Sequence, residues 1–508
     1  MVVNINSMGL FGMDAFHVGV ETDISRGIPA FDIVGLPDAS IKEARDRVRS
    51  AIRNCGFGFP VGRIIVNLSP ADIKKVGSFY DLPILVSLLL ASGAIDGDFK
   101  DCAFIGEVSL SGEIRPADGV LPMAIGAKEN GCKYFFVPAV NAKEGAVVKG
   151  LDIIPVENVT QLIRHLKGKE TIPAEKADLS TSAVHRYGID FSDVKGQFEA
   201  KRALEIAACG GHNVLLIGSP GTGKSMLAKR MPTILPDMTF EEMIETSKIH
   251  SIAGVMPHNT SLIRERPFRS PHHTVSPAGL TGGGSIPHPG EISLAHNGVL
   301  FLDELPEFNR NTMEILRQPI EDGRVTISRV NATLSYPCSI MLIAAMNPCP
   351  CGYFGHPTKK CTCSPKAVAQ YLAKVSGPLL DRLDLHVEVP PVEFGDLSSS
   401  DSAESSSEIK KRVDRVRKLQ TDRFRGTNIT CNARITPALL NKVCPLDDKA
   451  RETMRRSFDS MGLSARAYDR ILKVARTIAD IDDSEIIRQE HIFEAIQYRS
   501  LDSKYWKG

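Results

Sequence analysis

The chain has 508 residues, 43% of them hydrophobic and 24% charged, which is typical of a globular protein of roughly two to four domains. Its formal net charge of +1 excludes a global basic field, and its longest apolar run, 82–91, falls well short of the roughly 20 residues that a membrane span needs. Eleven cysteines, four of them within 349–363, indicate reduced thiols with one metal site rather than a disulfide framework, and without a signal peptide the predicted compartment is the cytoplasm.

Residues 1–168 alternate short β-branched runs with helical segments and predict a self-contained α/β or α+β domain. Asp38 is positioned to cap a helix that places Ile41, Ala44, Val48 and Ile52 on one face. The predicted strands are 31–34, 63–68, 104–108 and 133–138, and the predicted helices are 38–55, 81–92 and 121–130. Residues 169–187 then turn polar and predict a linker.

An apolar strand beginning at Val214 runs into a glycine-rich loop that fits G-x-x-x-x-G-K-[ST] and then into a helix. Backbone N–H groups of such a loop point at phosphate oxygens, and the helix N-terminus adds a partial positive charge. Lys224 is predicted to reach the β- and γ-phosphates and Ser225 to bind Mg²⁺. The sequence therefore predicts a nucleoside triphosphate site, with a simple glycine turn as the alternative. Its predicted nucleotide-binding residues are Gly218, Ser219, Pro220, Gly221, Thr222, Gly223, Lys224, Ser225 and Met226.

A second apolar strand, 298–302, ends in two adjacent acids, Asp303 and Glu304. Asp303 is predicted to hold Mg²⁺ through water and Glu304 to polarise the water that attacks the triphosphate. Between the two motifs lies a glycine-, proline- and histidine-rich stretch, 264–291, which cannot be regular helix throughout. Its adjacent His272 and His273 leave metal or acid/base chemistry open.

After the acidic motif the sequence predicts a helix at 311–321 and a β-hairpin made of two alternating runs around Asn331. A further core strand, 339–346, ends at the polar Asn347.

Four cysteines follow this strand as two C-x-C pairs. Such pairs can surround one tetrahedral ion, and Gly352 and Gly355 allow the chain to turn between them. The sequence predicts a structural Zn²⁺ site, with free thiols or a redox switch as alternatives and His356 as a possible replacement ligand. The predicted ligands are Cys349, Cys351, Cys361 and Cys363.

The last part of the chain is predicted to be helical after a serine-rich, acidic segment, 397–408, which predicts a disordered loop. The first of these helices, 408–424, carries many basic residues. A solvated helix face and a nucleic-acid stripe are both open interpretations of that charge. A long helix is predicted to begin at Ser464.

Several motifs in combination resemble the ComM/YifB family, described as magnesium-chelatase-like ATPases. They are the phosphate loop, FRSPHH at 268–273, VLFLDE at 299–304, NPCPCG at 347–352 and AIQYR at 495–499. The resemblance covers nearly the whole chain and implies an α/β fold: an AAA+ P-loop core with a helical lid, preceded by a domain similar to ribosomal S5 and the Lon protease domain. The implied domains are 1–168, a linker at 169–187, the core at 188–396, the serine-rich loop at 397–408 and the lid at 409–508.

The resemblance also implies roles for residues that pattern alone does not assign. Asn347 resembles sensor 1, Arg466 fits sensor 2, and Arg382 looks like an arginine finger that enters the ATP site of a neighbouring subunit. A salt bridge of Arg382 with Asp381 or Asp384 is the alternative. The finger implies a homo-oligomer, expected to be a ring of six, and in such a ring 264–291 and the hairpin reach toward the pore, which makes Arg329 a candidate phosphate contact or a solvated charge.

The likeness to Lon raises the question of proteolysis, since Lon cleaves with a serine activated by a lysine. By motif alignment the serine falls near Phe79 and the lysine near Leu121, neither of which can do that chemistry. We therefore expect no protease activity, although the nearby Ser78 and Lys75 keep it testable.

The resulting hypothesis is a motor that hydrolyses MgATP to translocate on DNA, because the family is associated with helicase activity and branch migration during natural transformation. The expected cofactors are ATP, Mg²⁺ and a structural Zn²⁺, and no membrane partner is expected. The alternatives are a magnesium-chelatase subunit that remodels a protein partner, a Lon-like protease, and a scaffold that binds ATP without hydrolysing it.

Overall fold

The computed structural model describes residues 2–177, 188–284, 287–329, 332–392, 395 and 403–506. The chain divides into two compact units, one of Met1–Ala183 with Phe240–Ile263 and one of Val184–Thr239 with Arg264–Gly508. The chain therefore passes from one unit to the other three times. The predicted domain boundaries allow only one such passage, in the linker between residues 168 and 188.

The strands are numbered in chain order through both units. They are β1 Val3–Phe11, β2 Asp14–Ser25, β3 Ala30–Val34, β4 Arg63–Ser69, β5 Cys102–Phe104, β6 Glu107–Val108, β7 Ile114–Arg115, β8 Tyr134–Pro138, β9 Asp152–Val156, β10 Val214–Ile217, β11 Phe268–Arg269, β12 Gly282–Gly283, β13 His288–Pro289, β14 Val299–Leu302, β15 Arg324–Arg329, β16 Ala332–Pro337, β17 Met341–Met346 and β18 Leu385–Glu388.

The α-helices are numbered in the same way. They are α1 Ala39–Asn54, α2 Asp81–Ala91, α3 Val120–Glu129, α4 Ala142–Gly145, α5 Val159–Leu166, α6 Phe198–Gly210, α7 Lys224–Ile234, α8 Phe240–Ile252, α9 Pro277–Thr281, α10 Glu291–Leu294, α11 Arg310–Ile315, α12 Arg317–Asp322, α13 Pro365–Leu372, α14 Gly377–Leu380, α15 Ser406–Arg423, α16 Pro437–Val443, α17 Asp448–Met461, α18 Ala465–Ile481 and α19 Gln489–Tyr505. Short 3₁₀ turns lie at Ser78–Tyr80, Ala139–Asn141, Phe191–Asp193, Leu305–Glu307 and Asn432–Arg434.

The first unit is built on a mixed seven-stranded sheet in the order β3-β4-β2-β1-β5-β8-β9. The hairpin of β1 and β2 pairs antiparallel over the full length of β1, and β5, β8 and β9 continue from β1 in parallel. Apolar side chains cover both faces, with α1 and α2 contributing to one core and α3 to the other. The predicted cap of α1 is confirmed, since Asp38 accepts a 2.9 Å hydrogen bond from the backbone N–H of Ile41.

Helix α8 belongs to this first unit although it follows the phosphate-loop helix in sequence. Its Met243 and Ile244 pack against the core that contains α3. The backbone N–H of Gly119, just before α3, donates to the carbonyl of Ser251 at 3.1 Å, and the Ser251 hydroxyl donates to the buried carboxylate of Glu144. These contacts explain why a segment inside the predicted ATPase core folds with the N-terminal region.

The second unit is built on five parallel strands in the order β11-β14-β17-β10-β18. Strands β10, β14 and β17 are buried throughout, as expected for a parallel sheet covered on both faces. The carboxyl ends of parallel strands meet at one edge of a sheet, and open α/β sheets bind their ligands there. This edge carries the loops that follow β10, β14 and β17.

Two predictions in this unit need correction. The helix predicted at 311–321 is two short helices, α11 and α12, because Pro319 has no N–H to donate to the carbonyl of Ile315. The disordered loop predicted at 397–408 ends earlier, since α15 begins at Ser406 with a capping box between Ser405 and Glu408. Residues 397–402 lie outside the described part of the chain, as does 178–187 of the predicted linker.

The predicted hairpin is confirmed: β15 and β16 pair antiparallel, with Ile327 opposite Leu334. The side chain of Arg329, the candidate phosphate contact, is not among the parts that the structure describes. Across the described helices, none combines the length and the apolar character that a membrane crossing requires.

Candidate functional site

A cleft of about 460 Å³ lies at the carboxyl edge of the parallel sheet. It is lined by the glycine-rich loop after β10, by the two acids after β14 and by the end of β17. Gly221 and Gly223 have φ values of +81° and +92°, which side chains rarely allow, so the loop needs glycine at these two positions. The lining residues are Pro220, Gly221, Thr222, Gly223, Lys224, Ser225, Met226, Asp303, Glu304, Met346 and Asn347.

Lys224 is buried at the start of α7 with its ammonium group inside the loop. Its Nζ donates to the carbonyl oxygens of Gly218 at 2.7 Å and Ser219 at 2.9 Å, and to Oδ1 of Asn347 at 3.3 Å. Burial lowers the pKa of Lys224, while Asp303 and Glu304 act in the opposite direction. The loop carbonyls and Asn347 thus orient a positive charge where phosphate oxygens would bind.

Ser225 and Asp303 meet across the cleft. The Ser225 hydroxyl donates to Oδ2 of Asp303 at 2.6 Å. A hydroxyl and a carboxylate are hard oxygen ligands of the kind that Mg²⁺ prefers alongside water and substrate phosphates. This pair would hold Mg²⁺, which would neutralise charge on the phosphates.

Glu304 follows Asp303 in a left-handed backbone conformation, with φ of +55°. Such a conformation costs a non-glycine residue about 1–3 kcal/mol and is found disproportionately at functional sites. Its backbone N–H donates to Oδ1 of Asp303 at 3.0 Å, and its side chain remains 57% exposed at the cleft. A carboxylate in this position can accept a proton from a water molecule.

His273 is a candidate functional residue for which the sequence predicted no specific partner. Its Nδ1 lies 3.6 Å from Oε2 of Glu304. The sequence did not distinguish the role of His272 from that of His273. In the structure, Nδ1 of His272 lies 2.9 Å from the hydroxyl oxygen of Thr274 instead. The only sequence signal was the pair of histidines itself, since the proximity to Glu304 depends on two strands that are distant in sequence.

The segment 190–197, which precedes α6, is fixed to the phosphate loop and to the helix that follows it. The side-chain amide of Gln197 donates to the carbonyl oxygens of Thr222 at 3.3 Å and Pro390 at 2.6 Å. From α7, Arg230 donates to the carbonyl oxygen of Asp190 at 2.6 Å and pairs with Asp193 at 2.8 Å. The two stretches therefore support each other.

The four predicted zinc ligands converge, and their sulfur atoms all lie within 4.8 Å of one another. Three of the Sγ pairs, 349–351, 349–361 and 351–361, are 3.4, 3.8 and 3.6 Å apart. Tetrahedral ZnS₄ geometry with bonds of about 2.3 Å separates sulfurs by about 3.8 Å, so the cluster fits zinc.

The pKa values of the four thiols shift in different directions. Backbone N–H groups of Thr362 and Tyr353 lower the pKa of Cys351 to about 5, whereas burial raises the pKa of Cys349. His356 is not one of the clustered ligand residues, and its Nδ1 accepts the backbone N–H groups of Thr358 and Lys359.

The cysteine loop also packs against the phosphate loop. Gly352 has φ of +82°, and a Cβ atom on it would lie 2.4 Å from Cδ of Pro220. Only a residue without a side chain allows this approach. Since Asn347 begins the same connection, the cluster can position both the phosphate loop and the polar residue that contacts Lys224.

Comparison with known proteins shows which families and relatives this chain is similar to. Family profiles match residues 20–141 (subunit ChlI of Mg-chelatase), 190–397 (magnesium chelatase, subunit ChlI) and 403–499 (its C-terminal part). Competence protein ComM of Haemophilus influenzae is 42% identical over 504 residues, covering 98% of this chain and 97% of the relative. The protein YifB of Escherichia coli is 43% identical over 500 residues, with the same coverage. The chain belongs to the ComM/YifB family. It is a magnesium-chelatase-like ATPase, as the resemblance implied.

The two arginines expected in this ComM/YifB ATPase lie outside the cleft. Arg382 is buried and pairs with Glu321 at 2.6 Å, rather than with Asp381 or Asp384, and it donates to the carbonyls of Arg317 and Pro378 at 3.1 and 2.6 Å. Arg466 is exposed in the first turn of α18 and does not line the cleft. Within one chain, neither guanidinium lines the cleft with Lys224 and Asp303.

The N-terminal unit carries no Lon-type dyad at the aligned positions. Lon protease 2 of Bacillus subtilis is 29% identical over 145 residues, which is 27% of this chain and 26% of that protein. Leu121 is fully buried in α3, and the ring of Phe79 lies tilted against that of Tyr80 with centroids 4.5 Å apart. Ser78 donates to Glu107, while the buried Nζ of Lys75 has no hydrogen-bond partner among the described residues.

Proposed function

We propose that this chain is a ring-forming motor that couples MgATP hydrolysis to translocation on DNA, as a helicase or branch-migration enzyme in recombination or natural transformation. The observation that supports it best is the cleft itself, in which Lys224, Ser225, Asp303, Glu304 and Asn347 converge from three parallel strands. Lys224 and the loop amides bind the triphosphate, Ser225 and Asp303 hold Mg²⁺, and Glu304 accepts the proton of the attacking water.

Assembly completes the site. A ring of six copies brings Arg382 of one copy toward the triphosphate of the next, where its guanidinium stabilises the charge on the transferred phosphoryl group. Arg466 serves as sensor 2 from the C-terminal helices. The burial of Arg382 against Glu321 supports a switch, since it must leave its own chain's partners to act.

We propose that DNA is the polymer along which the motor moves. A relative of near-identical length is named a competence protein, which supports a role in handling incoming DNA. The hairpin of β15 and β16 and the stretch 264–291 are the segments proposed to contact the phosphate backbone in the pore. On the basic helix α15, Arg412, Arg415 and Arg423 contribute little to this, because they pair with acids of the same unit.

The third proposed cofactor, besides ATP and Mg²⁺, is a structural zinc ion bound by the four cysteines. Reduced thiols fit a cytoplasmic protein. Metal analysis of protein purified under reducing conditions should return one zinc per chain, and simultaneous replacement of Cys361 and Cys363 by serine should remove it. Wild-type protein without zinc would contradict this assignment.

The decisive experiment is strand separation on forked DNA and on a Holliday junction, with and without ATP, beside the ATPase rate with and without DNA. We expect ATP-dependent separation and a rate that rises with DNA. An ATPase rate that is the same with and without DNA would contradict the DNA part of the proposal. The absence of ATP hydrolysis under every condition would contradict the motor function.

A second candidate is an ATPase subunit that remodels a protein partner for magnesium insertion into a porphyrin. The description of the three family profiles favours it. Stimulation of hydrolysis by chelatase partner subunits, and not by DNA, would select this function over the first.

A further inference from the structure

His273 and Glu304 lie together because neighbouring parallel strands end at the same edge. Strand β11 pairs in parallel with β14, with Arg269 opposite Leu300. Past the end of β11 the chain reaches His273, and past the end of β14 it reaches Glu304. The result is the distance of 3.6 Å between Nδ1 of His273 and Oε2 of Glu304.

The imidazole ring is held by contacts that leave its Nδ1 directed at the carboxylate. It meets the buried ring of Phe308 edge-on, with centroids 6.4 Å apart, and lies against the ring of His272 at 4.1 Å. Upstream, Arg269 forms a bidentate pair with Glu291, with both distances at 2.7 Å. The side chain of His273 is 31% exposed, so it is a supported group rather than a solvated one.

Glu304 needs such support. Its backbone is fixed in the left-handed region by the bond to Asp303, but its side chain is 57% exposed. A half-exposed glutamate loses rotamer freedom only when something binds its carboxylate. General bases are commonly oriented by a third group through a hydrogen bond to the atom that does not take the proton.

We propose that His273 is a positioning residue for Glu304, an inference that rests on the proposed ATPase mechanism. With the proton on Nδ1, the imidazole donates to Oε2 and directs Oε1 toward the attacking water. The proton of that water moves to Glu304, and His273 neither gains nor loses one. The present separation closes to a hydrogen bond through a small rotation of either side chain, as bonds at catalytic sites tighten when substrate binds.

The test compares purified full-length His273→Leu and His273→Asn. Both lose the ring contact with Phe308, but only asparagine keeps an N–H donor at the position of Nδ1. We expect His273→Leu to lower kcat for ATP about tenfold, as misplacement of a catalytic group does. His273→Asn should recover most of that loss. Both variants should keep the wild-type affinity for ATP, measured by equilibrium binding with Mg²⁺.

Two further variants separate positioning from a structural effect. His258→Leu is the matched control, since His258 is an exposed histidine that lies outside both the cleft and the 264–291 stretch, and its DNA-free kcat should equal that of wild type. Adding His273→Leu to Glu304→Gln should lower the residual rate no further, because the base that His273 orients is already gone.

The outcomes are distinguishable. Wild-type kcat in His273→Leu, equal loss in the leucine and asparagine variants, or a further fall in the Glu304→Gln background would each overturn the positioning role while leaving the ATPase intact. A wild-type chain that does not hydrolyse ATP would instead overturn the proposed function on which the inference rests.

Discussion

The cleft and the two arginines assigned to it are organised in opposite ways. In the cleft, side chains from separate strands already contact one another, Lys224 with Asn347 and Ser225 with Asp303. Arg382 is instead bonded within its own chain, and Arg466 is exposed away from the cleft. Within one chain, the groups proposed to bind MgATP therefore already contact one another, whereas the two arginines proposed to stabilise transferred charge lie outside the cleft.

This difference has a physical consequence for regulation. A cleft whose donors are already in place needs little reorganisation to bind its ligand, so we expect each copy to bind nucleotide by itself. Hydrolysis that waits for a guanidinium from a neighbour is fast only in an assembled ring. If Arg382 acts in a neighbouring site as proposed, this separation makes turnover depend on assembly.

The largest effect is expected from Lys224→Ala. Loss of the buried ammonium removes the charge that meets the β- and γ-phosphates, so ATP binding and hydrolysis should fall by roughly a thousandfold or more. Equilibrium binding and steady-state hydrolysis measure both. Lys229→Ala is the control, because Lys229 is exposed on the same helix and should leave both unchanged. Normal ATP affinity in Lys224→Ala would show that the cleft is not the nucleotide site.

Arg382→Ala addresses the other side of the comparison. If Arg382 acts in a neighbouring site, kcat should fall by about a thousandfold while ATP affinity stays near that of wild type. Mixing Arg382→Ala with inactive Lys224→Ala subunits should restore part of the activity, because a mixed interface joins an intact cleft to an intact arginine.

A structural role for Arg382 makes a different prediction. Glu321→Gln weakens the same ion pair from the partner's end without touching the guanidinium. We expect this variant to form rings and to hydrolyse ATP nearly as wild type. If Glu321→Gln reproduced the loss seen in Arg382→Ala, and mixing restored nothing, the arginine would be explained by its bonds within the chain.

The cleft was predictable because its parts are local. The phosphate loop and the acids of 303–304 each stand directly after an apolar strand, and parallel strands bring such ends together. The cysteine pairs were equally readable, since close spacing in sequence limits their spacing in space. The roles of these residues stay predictions, but their convergence follows from short motifs and sheet topology.

What could not be predicted depends on contacts between distant segments. No local pattern tells that α8 folds with the first unit, because its packing on α3 involves residues more than a hundred positions apart. The contact of His273 with Glu304 and the pairing of Arg382 with Glu321 are of the same kind. The start of α15 at Ser406, by contrast, could have been predicted from local sequence. The capping box of Ser405 and Glu408 is present there, but the serine-rich run around it favoured a loop.

Glu304→Gln tests whether the cleft holds the base as well as the binding groups. The amide keeps the size of the side chain but cannot accept the proton of water, so kcat should fall about a hundredfold with ATP still bound. Single-turnover hydrolysis and retention of labelled ATP measure the two effects. Glu307→Gln, at an exposed acid of the same loop, is the control. Ordinary turnover by Glu304→Gln would remove the assignment.

The smallest effect concerns the wall of the cleft that the cysteine loop supports. Gly352→Ala places a methyl group where Cδ of Pro220 lies 2.4 Å away, so the phosphate loop must shift. Gly355→Ala has a similar positive φ, +74° against +82°, but no atom lies within 4 Å of its added carbon.

Both substitutions share the backbone penalty of about 1 kcal/mol for a side chain at positive φ. Only Gly352→Ala should also weaken ATP binding, by about tenfold, because only it moves the loop amides away from the phosphates. Zinc content and melting temperature, measured for both variants, control for damage to the cysteine cluster. Equal ATP affinities in the two variants would mean that the phosphate loop keeps its shape without the cysteine loop, and that the cleft is preorganised by the sheet alone.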